Sequence, residues 1–461
     1  MNRESDANPF LQGNYAPWRL EGDAPDLEIE GELPRQLAGT FYRNGPNPAY
    51  EPVGKYHWFD GDGMIHAITL RDGRAAYRNR WVRSHGLAEE RATGHATYRG
   101  LLEMSPTEVP HFKNTANTNI VWHAGKLLAL VEAALPTALA PCTLDTLGEW
   151  DFAGKLGTPM TAHPKMDPET GEMLFFGYSP FPPYLTYHVV DRTGALVRSE
   201  PIDLAWPSMI HDFAVTRDHV VFILCPLVFS FENVAARGGV FSWEPERGTR
   251  LGVMPRSGGT RDVRWFETDA SYVFHPLNAY EEGGKVVVDV ARYGRLDFMT
   301  PRAMRDPAWT DDATPRLHRW TIDLAGGGVR STPLDDVSCE FPRVDARRVG
   351  LKHRFGYAAV ETEAEHPMPG WSAVRRYDLE RGTFDTRNFG PRAGCGEPLF
   401  VPRSAAAAED DGWVIVLVYD GDRDASDFYV LEAGDIAGEA VARIRLPHRI
   451  PYGFHGNWVP A

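Results

Sequence analysis

Short runs of β-branched and aromatic residues, each ended by a turn, recur along this 461-residue chain and leave little room for helices. Val220-Val-Phe-Ile-Leu-Cys225, Val286-Val-Val-Asp-Val290 and Trp413-Val-Ile-Val-Leu-Val-Tyr419 have the composition that packs well on a pleated, half-buried surface. Between such runs stand Asp167-Pro-Glu-Thr-Gly171, Asp191-Arg-Thr-Gly194, Asp323-Leu-Ala-Gly326 and Asp378-Leu-Glu-Arg-Gly382. In each, an aspartate that can bond its own backbone precedes a glycine free to take a turn conformation. The helical candidates are few and weak: Leu127 to Leu139, and Ala405 to Asp410. No Gly/Ser linker or low-complexity tract divides the sequence. It reads as all-β, one domain over residues 1–461, with 1–19 as an irregular N-terminal segment.

A second regularity suggests how the strands are arranged. His163, His211 and His275 each stand about ten residues before a strand-like run, at Met173, Val220 and Lys285. Asn114-Thr-Ala-Asn-Thr-Asn119 before Lys126-Leu-Leu-Ala-Leu130, and Glu397-Pro-Leu-Phe-Val401 before Trp413, share the layout. The intervals between the first three histidines are those of a four-stranded propeller blade with generous loops, roughly 50–60 residues. The stretch from His275 to His455 leaves room for about three more blades. Radial repetition brings equivalent inner-strand ends to one axis, so four histidines from four blades would meet there. The C-terminal Pro451-Tyr-Gly-Phe-His455-Gly-Asn-Trp458 fits this picture. It is aromatic and glycine-rich where termini are usually polar and frayed, so it is expected to run into the interior.

Bulk properties narrow the function classes. Charged residues make up 24% and apolar residues 43%, as in a globular chain with a sizeable core. A net charge of −15 without a basic patch argues against nucleic acid as partner. Cys142, Cys225, Cys339 and Cys395 are isolated, which disfavours a disulfide framework and fits a reducing compartment. The polar N-terminus lacks a signal-peptide core, and the longest apolar run, Val220 to Phe231, contains Pro226 and is too short to span a bilayer. Together these features point to a cytoplasmic protein.

His163, His211, His275 and His455 lie in apolar or turn settings where a neutral imidazole, and so a metal ligand, is reasonable; ligand type alone selects no metal. These stretches, with Phe41-Tyr-Arg-Asn-Gly-Pro-Asn-Pro48 and Trp58-Phe-Asp-Gly-Asp-Gly-Met64, resemble the carotenoid cleavage oxygenase family, from about Leu20 to the C-terminus. The resemblance implies a seven-bladed β-propeller with a helical and loop cap, and an axial non-haem Fe(II) held by those four histidines. By the same resemblance, Glu132, Glu340 and Glu397 would accept hydrogen bonds from three of the ligands. A carboxylate there fixes ring and tautomer and adds negative charge beside the metal.

The implied chemistry is scission by O2 of a C=C bond in a small hydrophobic conjugated substrate, giving two carbonyl products without a catalytic acid or base. The signature stretches favour a carotenoid or apocarotenoid. The alternative is a stilbene or phenylpropenoid. Stilbene-cleaving members bind a 4-hydroxyl group with a tyrosine, matched by Tyr98, and a lysine, whose place is taken here by Val131. Phe59 is expected to line the pocket, with plain packing beside Gly61-Asp62-Gly63 as the competing reading. Ala133 to Ala140, apolar for a loop, reads as packing, with a dip into a membrane surface as the alternative. His57, His66 and His123 are expected to be structural or at the surface. Two other readings stay open: a binding propeller with structural histidines, and a non-oxidative isomerase or hydrolase. The oligomeric state is not legible.

Overall fold

The computed structural model describes residues 8–100, 113–230, 240–296, 313–362 and 371–461. Its antiparallel sheets form seven blades. Blade 2 is built from Asn119–His123, Lys126–Leu130, Thr137–Leu139 and Thr146–Glu149. Blade 3 runs from Lys165–Met166 through Leu196–Ile202, and blade 4 from Phe213–Val215 to Arg264–Thr268 with an added hairpin, Leu227–Phe229 and Phe241–Trp243. Blades 5 and 6 share one long strand, Val329–Arg343. Its first part pairs with Arg316–Asp323 and its last part with Phe355–Val360.

The remaining two blades use both ends of the chain. In blade 7 the early strand Ile29–Gly31 pairs with Ala442–Arg445. In blade 1 the last strand, Gly456–Pro460, lies against Gly39–Pro46. Each terminus therefore completes a sheet whose other strands come from the far end of the sequence. That arrangement closes a ring and leaves its first and last blades without a free seam.

The core lies between blades as much as within them. Blade 7 and blade 1 share one cluster, with Trp413, Phe428 and Ile444 facing Phe41 and Ile68. Blades 3 and 4 share another around Phe176, Tyr187, Phe213 and Phe222. The continuous β-branched runs read from the sequence are strands buried on both faces, as in His219–Leu224, Lys285–Tyr293 and Gly412–Asp420.

Several local expectations need correction. Leu127 to Leu139 is not a helix: it contains the strand Lys126–Leu130 and the buried strand Thr137–Leu139. Its alanines and leucines are core residues of a sheet, which short apolar runs cannot reveal by composition. Ala405 to Asp410 is a turn. The one α-helix among the described residues, α1 (His85–Thr93), has no counterpart in the expectations. Ser84 caps its first turn, accepting from the Leu87 N–H, and Gly94 ends it at φ 79°. It buries only Gly86, Leu87 and Glu90, too narrow a stripe to register as helical periodicity.

The N-terminal segment is irregular but not loose. Residues 1–7 lie outside the described residues, whereas Pro9–Leu11 and Gly13–Tyr15 form 3-10 turns. Phe10 and Tyr15 pack on His57, Trp58 and Tyr452. In the apolar stretch after Glu132, Pro136 to Leu139 are buried, Ala134, Leu135 and Ala140 are half-buried and Ala133 is exposed. All four cysteines are free thiols, and no described helix is long and apolar enough to cross a membrane.

Candidate metal centre

An inner strand begins at Lys165 in blade 3, at Phe213 in blade 4 and at Gly456 in blade 1. A histidine stands one or two residues before each: His163, His211 and His455. His275 departs from the expected layout, because it lies inside the strand Tyr272–Glu282 of blade 5. Pairing with Lys285–Tyr293 slips there between Val273 and Pro276. Pro276 has no N–H to give the ladder, so the strand bulges and re-aims the ring beside it.

The four imidazoles converge. One ligand-capable atom from each lies within 4.8 Å of all the others, and in five of the six pairs the ring centroids stand 4.5 to 5.2 Å apart. His163 Nε2 and His211 Nε2 are 2.9 Å apart, and the buried Nε2 of His275 has no partner. A buried ring nitrogen without a partner is costly. A cation at the common point would satisfy all four, so the donor set fits a metal that prefers nitrogen.

On the far side of the rings, three carboxylates take the Nδ1 atoms. His211 bonds Glu132 at 2.6 Å, His275 bonds Glu340 at 2.5 Å and His455 bonds Glu397 at 3.0 Å. Each acid is itself held. Tyr178 donates to Glu132 at 2.7 Å, Tyr293 to Glu340 at 2.9 Å, and the Gly456 N–H to Glu397 at 3.0 Å. Arg343 stands 3.4 Å from Glu397. The fourth ring has no glutamate. Its Nδ1 lies 3.9 Å from Asp212, whose charge is taken by Lys165 at 2.8 Å.

The electrostatics favour a neutral ring at three of the four histidines. Burial pushes His163, His275 and His455 below the ordinary histidine value; the glutamates beside the last two oppose this without overturning it. For His211 burial also disfavours charge, but the adjacent Glu132 outweighs it and the net shift is upward. Burial works against the Glu397 charge too, yet Arg343 and His455 bring its carboxyl down to about 2.

Tyr178, Tyr293 and Arg343 were not singled out from the sequence. A positional signal existed: Tyr178 and Tyr293 end the second strands of blades 3 and 5, and Glu132 follows the second strand of blade 2. Phe341 was missed as well. It holds φ at 54° where the strand slips between Glu340 and Arg343. Its ring stacks on His275 at 5.5 Å and meets His455 edge-on at 5.3 Å, while its N–H donates to Glu340. A non-glycine residue in that conformation stores strain, and here the bulge sets both the acid and the aromatic wall.

The remaining expected contacts are scattered. Val131 is buried immediately before Glu132. Phe59, half-buried, meets Phe454 at 5.5 Å, one residue from His455. Tyr98 donates its hydroxyl to Glu89 of α1 and stands 5.9 Å from the Lys113 ammonium, with no ring contact to the four histidines. His57 caps the turn Trp58–Asp60, His66 bonds Tyr77 at 2.7 Å, and His123 bonds the Gly171 carbonyl, which gives all three structural roles.

A closed propeller that brings four histidines to one point, three of them braced by glutamates, belongs to the class of mononuclear metalloenzymes built on a propeller axis. Comparison with known proteins narrows the class. Residues 15–460 match the RPE65 family, described as retinal pigment epithelial membrane protein. An isoeugenol monooxygenase of Pseudomonas nitroreducens is 36% identical over 479 positions, covering 100% of both chains. A carotenoid cleavage oxygenase of Mycobacterium tuberculosis is 37% identical over 507 positions, covering 98% of both. The crystal structure of a lignostilbene dioxygenase from Pseudomonas brassicacearum superposes with a TM-score of 0.92 at 36% identity, covering 98% of this chain and 99% of that one. The protein is a member of the RPE65 family of carotenoid cleavage oxygenases, an enzyme of that family with a four-histidine metal site.

Proposed function

We propose that the protein cleaves the side-chain alkene of a phenylpropenoid or stilbene with O2, using Fe(II) held by His163, His211, His275 and His455. This reverses the preference for a carotenoid drawn from the signature motifs. The observation that carries it is the lignostilbene dioxygenase superposition, at a TM-score of 0.92 over nearly both whole chains. The isoeugenol monooxygenase adds support, because it aligns end to end in 479 positions where the carotenoid-cleaving relative takes 507.

Iron, when bound, supplies the O2 activation. The net change adds both oxygen atoms across the broken double bond and yields two carbonyl compounds, so no proton has to be moved. The protein's own part is therefore to hold and to exclude. Glu132, Glu340 and Glu397 fix three rings by their Nδ1 hydrogens and leave Nε2 facing inward. Phe341 and Phe274 lie against those rings, the latter 5.1 Å from His211, and keep water from the centre. We assign Phe59, Tyr98 and Val131 to the substrate side. The apolar Val131 offers no cation to a phenolate, so a phenolic substrate would bind in its neutral form.

The test is aerobic incubation of the iron-loaded protein with isoeugenol, a 4-hydroxystilbene and an apocarotenal, with products identified by mass. An aryl aldehyde from either of the first two is the expected result. Cleavage of the apocarotenal alone would overturn the substrate assignment.

A further inference from the structure

A small cavity with Phe341 in its wall lies between blades 7 and 1. Asn14, Arg43, Ser426, Tyr452 and Gly453 help to line it. Its size, about 10 Å³ measured to the centre of a water-sized sphere, is room for one water or one small ion.

The lining holds polar groups with few partners. Arg43 is only 5% exposed, yet its guanidinium makes a single hydrogen bond, from Nη1 to the Pro451 carbonyl at 2.8 Å. Among the described residues no carboxylate approaches it within 4.0 Å. Glu397, which would be the natural partner, is engaged by Arg343, His455 and the Gly456 N–H. Asn14 is 4% exposed, and neither atom of its side-chain amide has a partner. Two nearby acceptors are already used, the Asn14 backbone carbonyl by the Tyr452 N–H and Ser426 Oγ by the Ile450 N–H, while Asn14 Oδ1 is unpaired. That leaves the Ser426 hydroxyl hydrogen available as a further donor.

A buried cation without a counter-charge is expensive, and several kcal/mol is the usual scale. Burial brings Arg43 down to about 10, with Glu397 opposing, so it still carries its charge at neutral pH. A Cβ at Gly453 would lie 2.7 Å from Arg43 Cζ, so the chain passes there as bare backbone. We propose that the cavity is a binding site for one small monovalent anion, of halide size, held by Arg43 and the Asn14 Nδ2. The site is separate from the metal centre and shares only the Phe341 wall with it. Because Asn14 belongs to the N-terminal segment and Arg43 to blade 1, the anion ties that segment to the ring.

The proposal is tested on the full chain without reference to turnover. Crystals grown with bromide in place of chloride should give one anomalous peak within hydrogen-bond reach of the Arg43 guanidinium. At fixed ionic strength, chloride should raise the Tm saturably and gluconate should not. In Asn14→Leu, which keeps a side chain of similar volume and leaves Arg43 in place, the chloride midpoint should rise at least about tenfold, a loss of about 1.4 kcal/mol in binding. Water alone in the cavity, equal responses to chloride and gluconate, or an unchanged midpoint in Asn14→Leu would each overturn it.

Discussion

The decisive contacts at the centre lie on the far side of the rings, where three glutamates hold Nδ1. Glu340 is the most constrained of them, taking His275, Tyr293 and the Phe341 N–H together. Glu340→Gln should leave the fold intact and lower metal retention or turnover by about 10–100-fold, as measured by metal content and initial rate. His275→Ala removes a donor outright, and the protein purified under iron-replete conditions should hold far less metal; full metal content would remove the four-ligand assignment. Glu397 gives a pH prediction with a definite sign. Its carboxyl is lowered from 4.5 to about 2, so its ionised form stabilises the fold fully above 4.5 and loses that contribution as pH falls towards 2. Wild type and Glu397→Gln should therefore converge in urea midpoint as pH is lowered through that window. A constant gap would mean that the ion pair is not the source.

At the scale of elements, the inner strands repeat one device: the residue just outside the strand points to the axis, and a bulge serves where no loop end is available. Helix α1 sits apart from this pattern and is held by few contacts. Lys113 clamps it, with Nζ 2.5 Å from Glu90 on the helix and 2.5 Å from Asp62, just before the blade 1 strand Gly63–Arg71. The clamp is almost dry, since Glu90 and Asp62 are buried. Breaking it by Lys113→Met leaves two acids without their cation, and a loss of about 3–5 kcal/mol is expected in equilibrium unfolding. Loss of the cap in Ser84→Ala should cost about 1 kcal/mol by the same measurement, because only one orphan N–H loses its partner.

The whole molecule depends on closure by both ends. Gly456–Pro460 is the last strand to be made and pairs with a strand near the start of the chain, immediately after His455. Deleting residues 456–461 should therefore abolish metal binding and broaden the thermal transition together. Retention of a sharp transition would mean that the ring is stable without its seam. Much of this architecture was legible in the sequence: the strand runs, three of the four histidines placed before strands, and an interior C-terminus. So were Glu132, Glu340 and Glu397, through the family resemblance. These are local patterns, and a strand or a strand end depends on residues near each other in the chain. Contacts set by distant segments were not legible. Tyr178 meets Glu132, Arg343 meets Asn457, and Asn14 meets the cavity beside Arg43, each across a gap in sequence that no periodicity spans. Sequence alone determined an all-β ring with a histidine centre, because blade repetition is written into the spacing of the strands. Only the tertiary structure decided which groups brace that centre and where a buried charge is left without a partner, because pairing in a closed ring is fixed by which ends meet.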